Sequence, residues 1–592
     1  MSSDLFADIR ARVIAALEAD AGTLAEDVLA RVEVGPPREA SHGDMASNAA
    51  MVAAKAAGKP PRALAESLAG RLADAPEIAA ASAAGPGFIN IRLNPAVLRR
   101  VIPAILAAGE AYGDGTIGAG GRVNVEYVSA NPTGPMHIGH CRGAVVGDAL
   151  ANLLAKAGFD VTREYYINDA GAQVAALAWA AYWRYLQALG RDVPADEFAA
   201  RAPMGLQYQG DYLIPVGAAL AETFADRLAP DGGIAPPELW FEPVRDFTIA
   251  AMMDAIREDL DLLGVRQAVF TSERALVESG RLDEVIARLS AQGLIYEGVL
   301  EPPKGKLPED WEPRAQTLFR ATRFGDDVDR PLRKSDGSAT YFANDIAYHA
   351  DKIARGFTAL IDVWGADHGG YVSRMKAAVA ALAGERARLD VLLCQIVHVL
   401  KGGVPVRMSK RAGSFVTLRD LIEEVGRDVV RFIMLTRKSD AQMEFDLDQV
   451  VAQTRENPVF YVQYAHARCR SVLRHAAEEG HATTPEALAT ASLDSLADEA
   501  ELALIRRLAA WPRLVDGAAR AREPHRIAFF LYDLAADFHI LWNRGREAAT
   551  LRFLQEDRPV ETRARLALVA ATAVVIRSGL AVMGVGPIEE MR

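Results

Sequence analysis

The sequence predicts an α/β protein whose core is a doubly wound parallel sheet, with an α+β unit before it and an all-helical region after it. Three patterns predict this order. A β-rich run at 122–128 is followed by a loop and a long helical pattern, which together form a βα unit. Helical spacing is mixed with an alternating strand before residue 112. From about residue 448 the pattern is helical to the end.

Length and composition bound the class of protein. The chain has 592 residues, and at about 150 residues per domain it has room for about four domains. Hydrophobic residues make up 50% and charged residues 24%, which excludes a wholly disordered or fibrous protein. Only Cys141, Cys394 and Cys469 are cysteines, which excludes a disulfide framework and indicates a reducing compartment.

The net charge bears on nucleic-acid binding. The formal net charge is −12, which taken alone argues against contacts to phosphates. Arginines are nevertheless concentrated locally, with three and no acid at 466–475, and six against three acids at 501–526. We therefore expect any nucleic-acid binding to be confined to such sites and to be salt-sensitive.

Neither end of the chain has a targeting or membrane-spanning pattern. Residues 1–20 have mixed charges and no apolar h-region, so no secretory signal is predicted. The apolar run at 566–576 is shorter than the ~20 residues of a membrane span. It predicts a buried helix segment, and the expected location is the cytoplasm.

The first 112 residues indicate one α+β unit. Helical spacing at 6–17 and in the alanine-rich stretch after Asn48 predicts helices, and 87–93 predicts a turn and a strand. The glycine-rich stretch 113–121 contains G-x-G-x-x-G, the spacing of a dinucleotide fingerprint. Because these glycines precede a strand instead of following one, we interpret the stretch as a linker.

The middle of the chain continues the α/β pattern with an insertion. Residues 171–305 are mostly helical in pattern, and a charged, proline-containing loop is predicted at about 301–337. Short strands and helices resume after it, at 340–345, 359–364 and 391–400.

The sharpest motif is N-P-T-G-P-M-H-I-G-H at 131–140, between the first core strand and the long helix. Ligands bind at that edge of open α/β sheets, and helix N-termini attract phosphates. His137 and His140 could donate hydrogen bonds to phosphate oxygens in a transition state. Gly139 would let a flat base approach the backbone closely.

Two other interpretations of the histidines stay open on the motif alone. An H-x-x-H pair could be half of a zinc site, but the nearest further ligand, Cys141, faces another side of the helix. The pair could also be structural, although the strand–Pro–Gly–helix context makes that interpretation weak.

A second motif, V-R-M-S-K-R-A-G, follows at 406–413. Lys410 and its neighbours could hold a polyphosphate. Taken alone, such a basic loop is more often simply solvated.

Together the motifs resemble the H-I-G-H and K-M-S-K signatures of class I aminoacyl-tRNA synthetases, in order and in separation. Flanking stretches narrow the resemblance to arginyl-tRNA synthetases and extend it over essentially the whole chain. These stretches are 41–44, 87–90, 125–135, 163–171, 335–337, 341–349 and 457–468.

The resemblance implies a class I Rossmann-like catalytic core with a helical insertion, an α+β N-terminal domain and an all-α anticodon-binding domain. The predicted divisions are a tRNA-binding N-terminal domain (1–112), the core (113–170 and 306–400), the insertion (171–305), a signature-loop and stem-contact region (401–454) and the anticodon-binding domain (455–592).

An acidic pocket has a physical basis of its own. Glu126 lies in an otherwise apolar strand, and a buried carboxylate is costly without a partner. Asp345 follows Tyr341 at i+4, so both could reach one pocket if that stretch is helical. Such groups suit a guanidinium, which offers five donors in a planar fork. Alternatively, Glu126 pairs with an internal arginine.

By resemblance, each remaining candidate receives a role. Glu126, Tyr341 and Asp345 would bind the arginine side chain, Ser129 and Asn131 its backbone groups, and Asp367 and His368 would line the same site. ATP would contact His137, Gly139, His140, Met408, Ser409 and Lys410, of which His137, His140 and Lys410 are the catalytic residues. tRNA would contact Phe88, Asn90 and Met591.

The sequence departs from the family pattern at three positions. Arg407 replaces the first lysine of K-M-S-K, which preserves the charge. Gly369 stands where relatives often have a second histidine, so no role of that imidazole can be carried over. Gly85 stands where some relatives have a polar contact to tRNA, which weakens the assignment of Phe88 and Asn90.

The implied activity is ATP-dependent ligation of L-arginine to tRNA(Arg) through an arginyl-adenylate, releasing AMP and pyrophosphate. Mg²⁺ would arrive with ATP, no structural metal is expected, and the family suggests a monomer that binds no membrane. Alternatives are a class I synthetase for another amino acid such as cysteine or glutamate, a small nucleotidyltransferase, or an inactive tRNA-binding paralogue.

Overall fold

The computed structural model describes residues 4–191, 193–300, 314–406 and 417–591. The chain divides into two compact units. One, here called the terminal unit, consists of Met1–Ile117, Lys156–Gly158 and Ala452–Arg592. The other, the central unit, consists of Gly118–Ala155 and Phe159–Val451.

The N-terminal part of the terminal unit is an antiparallel sheet with helices. Asp4 caps the first helix by accepting hydrogen bonds from the backbone N–H groups of Phe6 (2.9 Å) and Ala7 (3.1 Å). The strand order is β1-β2-β4-β3. The elements are α1 (Leu5–Ala21), α2 (Glu26–Ala30), β1 (Val34–Gly35), β2 (Met45–Ser47), α3 (Ala49–Ala57), α4 (Pro61–Ala73), β3 (Ile78–Ala84), β4 (Phe88–Leu93), α5 (Pro95–Arg99) and α6 (Val101–Ala108).

Two sequence predictions for this part are confirmed. The helix predicted at 6–17 lies within α1, which buries Phe6, Ile9, Val13 and Leu17. The alternating strand predicted at 87–93 is β4, whose buried positions are Ile89, Ile91 and Leu93.

The central unit begins with the predicted βα unit, formed by β5 (Arg122–Glu126), α7 (Ile138–Lys156) and β6 (Asp160–Ile167). Val123, Asn124, Val125 and Glu126 are all buried, because β5 is covered on both faces. Gly147 of α7 lets the chain after β5 pack closely, since a Cβ there would lie 2.3 Å from Cγ of Tyr127.

The next stretch is the predicted insertion, and it is helical as expected. Its first four helices are α8 (Ala172–Ala188), α9 (Ala195–Arg201), α10 (Ile214–Phe224) and α11 (Pro237–Leu263). They enclose an aromatic core in which Tyr182 stacks on Trp240 with ring centroids 3.9 Å apart.

The remainder of the central unit alternates strands and helices. Its elements are β7 (Val269–Ser272), α12 (Glu273–Glu278), α13 (Arg281–Ala291), β8 (Ile295–Gly298), β9 (Gln316–Phe319), β10 (Arg330–Arg333), α14 (Tyr341–Ala354), β11 (Ala359–Gly365), α15 (Val372–Ala383), β12 (Arg388–Cys394), β13 (Val397–Lys401), β14 (Val404–Pro405), α16 (Leu418–Val425), α17 (Arg427–Met434), β15 (Met443–Asp446) and α18 (Leu447–Val450).

The main sheet has the order β12-β11-β5-β6-β7, and every neighbouring pair is parallel. The predicted parallel sheet is therefore confirmed. Its edge strand β7 lies within the stretch 171–305, so that stretch contributes to the sheet as well as supplying helices. Since β5 is central, the residues that follow it lie at the carboxyl edge of the sheet, where ligands bind in such folds.

The prediction of a loop over 301–337 is wrong for its second half. Residues 301–313 lie outside the described part of the chain, but β9 and β10 follow and form an antiparallel sheet with β8. Phe319 and Leu332 are buried in the hydrophobic core of this part, which outweighs the local charge of the stretch.

The C-terminal part of the terminal unit is helical, as predicted. The last helix, α24 (Pro559–Met583), has the length and composition of a membrane span, but 83% of its apolar window is buried inside the protein, so the expectation of a buried helix is confirmed. The helices are α19 (Pro458–Glu478), α20 (Pro485–Ala489), α21 (Glu499–Ala509), α22 (Trp511–Ala521), α23 (His525–Glu547) and α24 (Pro559–Met583).

Candidate active site

The chain turns sharply where β5 ends. Val128 and Ser129 have φ of 73° and 41°, a left-handed conformation that residues other than glycine seldom adopt. The turn brings the Ser129 hydroxyl back to the strand, where it donates to Oε1 of Glu126 at 2.9 Å and accepts from the N–H of Tyr166 at 3.0 Å. The left-handed turn at Val128 and Ser129 thus places the hydroxyl group that binds the Glu126 carboxylate.

Glu126 is buried and has a cationic partner. Nζ of Lys352, on α14, donates to Oε2 of Glu126 at 2.7 Å and to Oδ1 of Asp362, on β11, at 3.0 Å. The internal pairing considered for Glu126 therefore exists, but the partner is a lysine and not an arginine. Burial raises the pKa of Glu126, and the charge of Lys352 opposes that rise.

Asp345 and Tyr341 lie one turn apart on α14, as the i, i+4 spacing predicts. The helix begins where the Thr340 hydroxyl accepts from the N–H of Ala343 at 3.2 Å. The Tyr371 hydroxyl donates to Oδ2 of Asp345 at 2.6 Å. Burial raises the pKa of Asp345 to about 7, although the Tyr371 hydrogen bond lowers it. Tyr341 is 64% exposed.

Two further residues extend the acidic pocket. Glu273 is buried, accepts from Nδ2 of Asn344 at 2.8 Å, and has a pKa raised mainly by burial. The Tyr166 hydroxyl is buried and, within the described residues, has no hydrogen-bond partner. Burial and then the charges of Asp345 and Glu273 raise its pKa. The carboxyl groups of Glu126, Asp345 and Glu273 are therefore all close enough to Tyr166 for their charges to raise its pKa.

Three predicted substrate residues lie further out. Nδ2 of Asn131 donates to Oε1 of Gln173 at 2.9 Å. Asp367 and His368 lie in the short 3-10 helix Ala366–Tyr371 after β11, and their side chains are 82% and 63% exposed. The structure thus brings together Glu126, Ser129 and Asp345, and leaves Asp367 and His368 facing solvent.

The two histidines lie at the beginning of α7. Their rings are stacked with centroids 3.9 Å apart. Nδ1 of His137 accepts from the N–H of Gly139 at 3.0 Å, so a neutral ring has its proton on Nε2. A Cβ on Gly139 would lie 2.8 Å from Cε1 of His137. In this structure the glycine therefore makes room for the histidine ring.

The loop before the histidines is fixed by several hydrogen bonds. The Tyr212 hydroxyl donates to the carbonyl of Thr133 at 2.8 Å, and the N–H of Met136 donates to Oδ2 of Asp259 at 3.3 Å. Asp259 is in turn bonded to Nη2 of Arg419 at 3.1 Å. The first motif is therefore held by α11 and by α16.

Residues 407–416 lie outside the described part of the chain, and with them all of the second motif except Val406, including Met408, Ser409 and Lys410. The residues that follow it contact the first motif. Thr417 forms an antiparallel bridge with His137, and the N–H of Leu418 donates to the carbonyl of Met136 at 2.9 Å. The sequence after the basic motif thus begins beside the histidines.

Family models match three parts of the chain. An arginyl-tRNA synthetase N-terminal domain matches 7–93, a class I (R) tRNA synthetase catalytic domain matches 101–190, and a DALR anticodon-binding domain matches 462–591. The arginine–tRNA ligase of Gluconobacter oxydans is 62% identical over 99% of this chain and 98% of its own length. That of Ruegeria pomeroyi is 58% identical over all of both chains.

The chain belongs to the arginyl-tRNA synthetase family. The solved arginyl-tRNA synthetase structure from Thermus thermophilus has the same fold, with a TM-score of 0.71 and 22% identity over 99% of this chain and 100% of that one. The predicted class I fold, with its N-terminal and anticodon-binding domains, is therefore confirmed.

The predicted tRNA-contacting residues line two clefts of the terminal unit. Phe88 and Asn90 lie in one of about 600 Å³, together with Arg38, His42 and Arg513. Met591 lies in another of about 350 Å³, where the guanidinium of Arg468 lies 4.0 Å from the Tyr464 ring centroid and 4.6 Å from that of Trp542. Both clefts present aromatic and cationic groups, which suit unpaired nucleotides.

The described residues lack the pattern of ligands expected of a metal site. Across 4–191, 193–300, 314–406 and 417–591, no group of three or more His, Cys, Asp or Glu residues is placed to hold a metal ion. Cys141 is buried in α7, on a side away from solvent.

Sequence reasoning missed Lys352, Asp362, Tyr166 and Glu273. For Asp362 a signal was available, since it interrupts the apolar run of β11 in the same way that Glu126 interrupts β5. For Lys352 the signal is weaker, because a lysine on a helix is usually solvated.

Proposed function

We propose that this enzyme ligates L-arginine to tRNA(Arg) in two steps. The arginine carboxylate attacks the α-phosphate of ATP and forms arginyl-adenylate with release of pyrophosphate. The terminal ribose hydroxyl of tRNA then takes the arginyl group and AMP leaves. The observation that supports this most is a pair of buried carboxylates, Glu126 and Asp345, whose charges act on each other, in a chain 62% identical to an arginine–tRNA ligase.

Glu126 and Asp345 bind the guanidinium of arginine in this proposal. A planar fork of five donors matches carboxylates that come from a strand and from a helix. Asp345, with a pKa of about 7, loses its proton when the cation binds, because an opposite charge favours the ionised form. Tyr341 covers the side chain from the exposed side, and Ser129, Asn131, Asp367 and His368 contact the polar groups of the substrate.

His137 and His140 stabilise the phosphates of ATP. Nε2 of His137 is the donor, since its Nδ1 is occupied by the N–H of Gly139. The beginning of α7 adds its positive dipole end. Met408, Ser409 and Lys410 contact ATP from the second motif, and Lys410 stabilises charge on the departing pyrophosphate. Mg²⁺ bound to ATP would neutralise part of the phosphate charge.

The remaining assignments concern tRNA and the whole chain. Phe88 and Asn90 contact tRNA through an N-terminal domain at 1–112, and Met591 contacts it through an anticodon-binding domain at 455–592. The core (113–170 and 306–400), the insertion (171–305) and the stem-contact region (401–454) are proposed as divided in the sequence analysis, with the edge strand β7 of the core sheet supplied by the insertion. The enzyme acts as a monomer in cytoplasmic protein biosynthesis and binds no membrane.

The decisive experiment is aminoacylation of total tRNA by the purified protein, with each amino acid in turn. We expect charging with arginine alone, in an ATP-dependent reaction that forms AMP and pyrophosphate. Charging with another amino acid and not with arginine would overturn the substrate assignment, and tRNA binding without any charging would support an inactive paralogue.

A further inference from the structure

Lys352 is a fully buried lysine that lies between two carboxylates. Its Nζ donates to Oε2 of Glu126 at 2.7 Å and to Oδ1 of Asp362 at 3.0 Å, and it lies 4.3 Å from the ring centroid of Tyr348. Both carboxylates are buried as well. A buried ion triad is not needed for stability, because apolar residues of the same volume often serve as well or better. Another explanation for its presence is therefore required.

The triad fixes the orientation of Glu126. Lys352 binds Oε2 and the Ser129 hydroxyl binds Oε1, so the carboxylate plane is set from two sides. A carboxylate has about four acceptor sites, so two remain for a ligand. A guanidinium that requires a defined plane gains from this preorganisation.

The triad also sets the local charge. Glu126, Asp362 and Lys352 sum to one negative charge, and Asp345 adds a second when it is ionised in the proposed complex. Without Lys352 the two carboxylates would be neighbours in a buried site, and one of them would hold a proton at neutral pH. The charges of Asp362 and Glu126 raise the pKa of Lys352, against the effect of its burial, so its cationic form is retained.

Two other titratable side chains near Lys352, His349 and Glu164, have hydrogen-bond partners other than Lys352. His349 lies on the same helix, and its Nε2 is 2.8 Å from Oδ2 of Asp362. Glu164, on β6, is bound through both oxygens by Nη2 of Arg355 at 2.8 Å and accepts from Nδ2 of Asn124 at 2.5 Å. Glu164 therefore has its own cation, although the charge of Lys352 also lowers the pKa of Glu164. Only Glu126 and Asp362 accept hydrogen bonds from Nζ of Lys352 among the described residues.

We propose that Lys352 is a positioning residue that determines specificity for the guanidinium: it orients the Glu126 carboxylate and keeps it ionised for the substrate. Lys352 acts through Glu126 and not on the substrate. This inference rests on the proposed arginine-ligase function.

The test compares three variants with the wild-type enzyme in arginine aminoacylation. Lys352→Met removes the cation, and Lys352→Met/Asp362→Asn removes one charge of each sign, so it leaves no excess buried charge if the single variant fails to fold. Lys352→Arg restores the cation. Lys376→Met, an exposed lysine on α15, is the matched control.

For the double variant we expect the KM for arginine to rise at least about tenfold, with the KM for ATP within about twofold and kcat at saturating arginine within about threefold. The rise in KM at low pH should begin at a higher pH than in the wild type. Lys352→Arg should recover most of the loss. A KM for arginine equal to that of Lys376→Met, with an unshifted pH profile, would overturn the proposal.

If no variant folds, a measurement on the wild-type enzyme tests whether Glu126 is ionised before arginine binds. Calorimetry of arginine binding at pH 6.5, in buffers of different ionisation enthalpy, counts the protons released. If Glu126 is already ionised, we expect release of less than one proton per bound arginine, and that proton comes from Asp345. Release of more than one proton per bound arginine would contradict the role of Lys352. Absence of arginine charging by the wild type would instead refute the proposed function.

Discussion

The acidic pocket and the histidine pair differ in how their side chains are held. Glu126 is bound by Ser129, three residues away, and by Lys352, 226 residues away in the chain. His137, by contrast, is bound by the N–H of Gly139, two residues away, and stacks on His140. The Glu126 side chain is thus held by a distant element. The His137 ring contacts its own turn, while the backbone beside it is bonded to Asp259 and Leu418. The proposed arginine pocket therefore depends on long-range packing, whereas the histidine rings depend first on the turn at the beginning of α7.

The largest effect is expected on the phosphate side, from Lys410→Ala. Removal of a cation that acts on the leaving pyrophosphate should lower the rate of ATP–pyrophosphate exchange about 100- to 1,000-fold. The dissociation constant of arginine should stay within about twofold, because the acidic pocket is intact. An unchanged exchange rate would remove Lys410 from the proposed mechanism, and Lys376→Ala is the control.

On the recognition side, Glu126→Gln should raise the KM for arginine about 10- to 100-fold. The variant keeps the shape of the side chain but loses a charge-assisted hydrogen bond, which is worth about 1.5–3 kcal/mol. Steady-state kinetics with arginine varied at saturating ATP and tRNA checks this. The KM for ATP serves as the internal control, and an unchanged KM for arginine would exclude Glu126 from the pocket.

Gly139→Ala tests the local geometry of the histidine pair. A Cβ 2.8 Å from Cε1 of His137 should displace the ring and lower kcat about tenfold, with the KM for arginine unchanged. Gly143→Ala is the matched control on the same helix, because a Cβ there meets no atom within 4 Å. Equal activity of the two variants would show that the position of the His137 ring is not critical.

The smallest effect concerns pH. In the proposed mechanism arginine binds the ionised form of Asp345, whose pKa is raised to about 7, so binding should weaken as that group is protonated. The KM for arginine should therefore be nearly constant above pH 8 and about tenfold higher at pH 6. Tyr371→Phe removes a hydrogen bond that lowers this pKa and should shift the rise toward higher pH. A profile without a rise between pH 8 and pH 6 would contradict the assignment.

Features that depend on neighbouring residues could be predicted from the sequence, whereas contacts between distant elements could not. The βα unit, the parallel sheet and the beginning of α7 follow from local spacing, and so does the placement of Tyr341 and Asp345 one turn apart. Lys352 and Asp362 could not be assigned to Glu126, because their contact depends on the pairing of β5 with β11 and on the packing of α14. The sheet formed by β8, β9 and β10 was missed because its burial outweighs the local charge.

The measurement that tests the account most directly compares the binding of arginine and citrulline, which has nearly the same shape but no charge. The wild-type enzyme should bind arginine at least about 100-fold more tightly, since the buried acceptors are unpaired with a neutral ligand. In Glu126→Gln that preference should fall to about tenfold or less. Equal binding of arginine and citrulline by the wild type, or an unchanged preference in the variant, would contradict recognition of the guanidinium charge by this pocket.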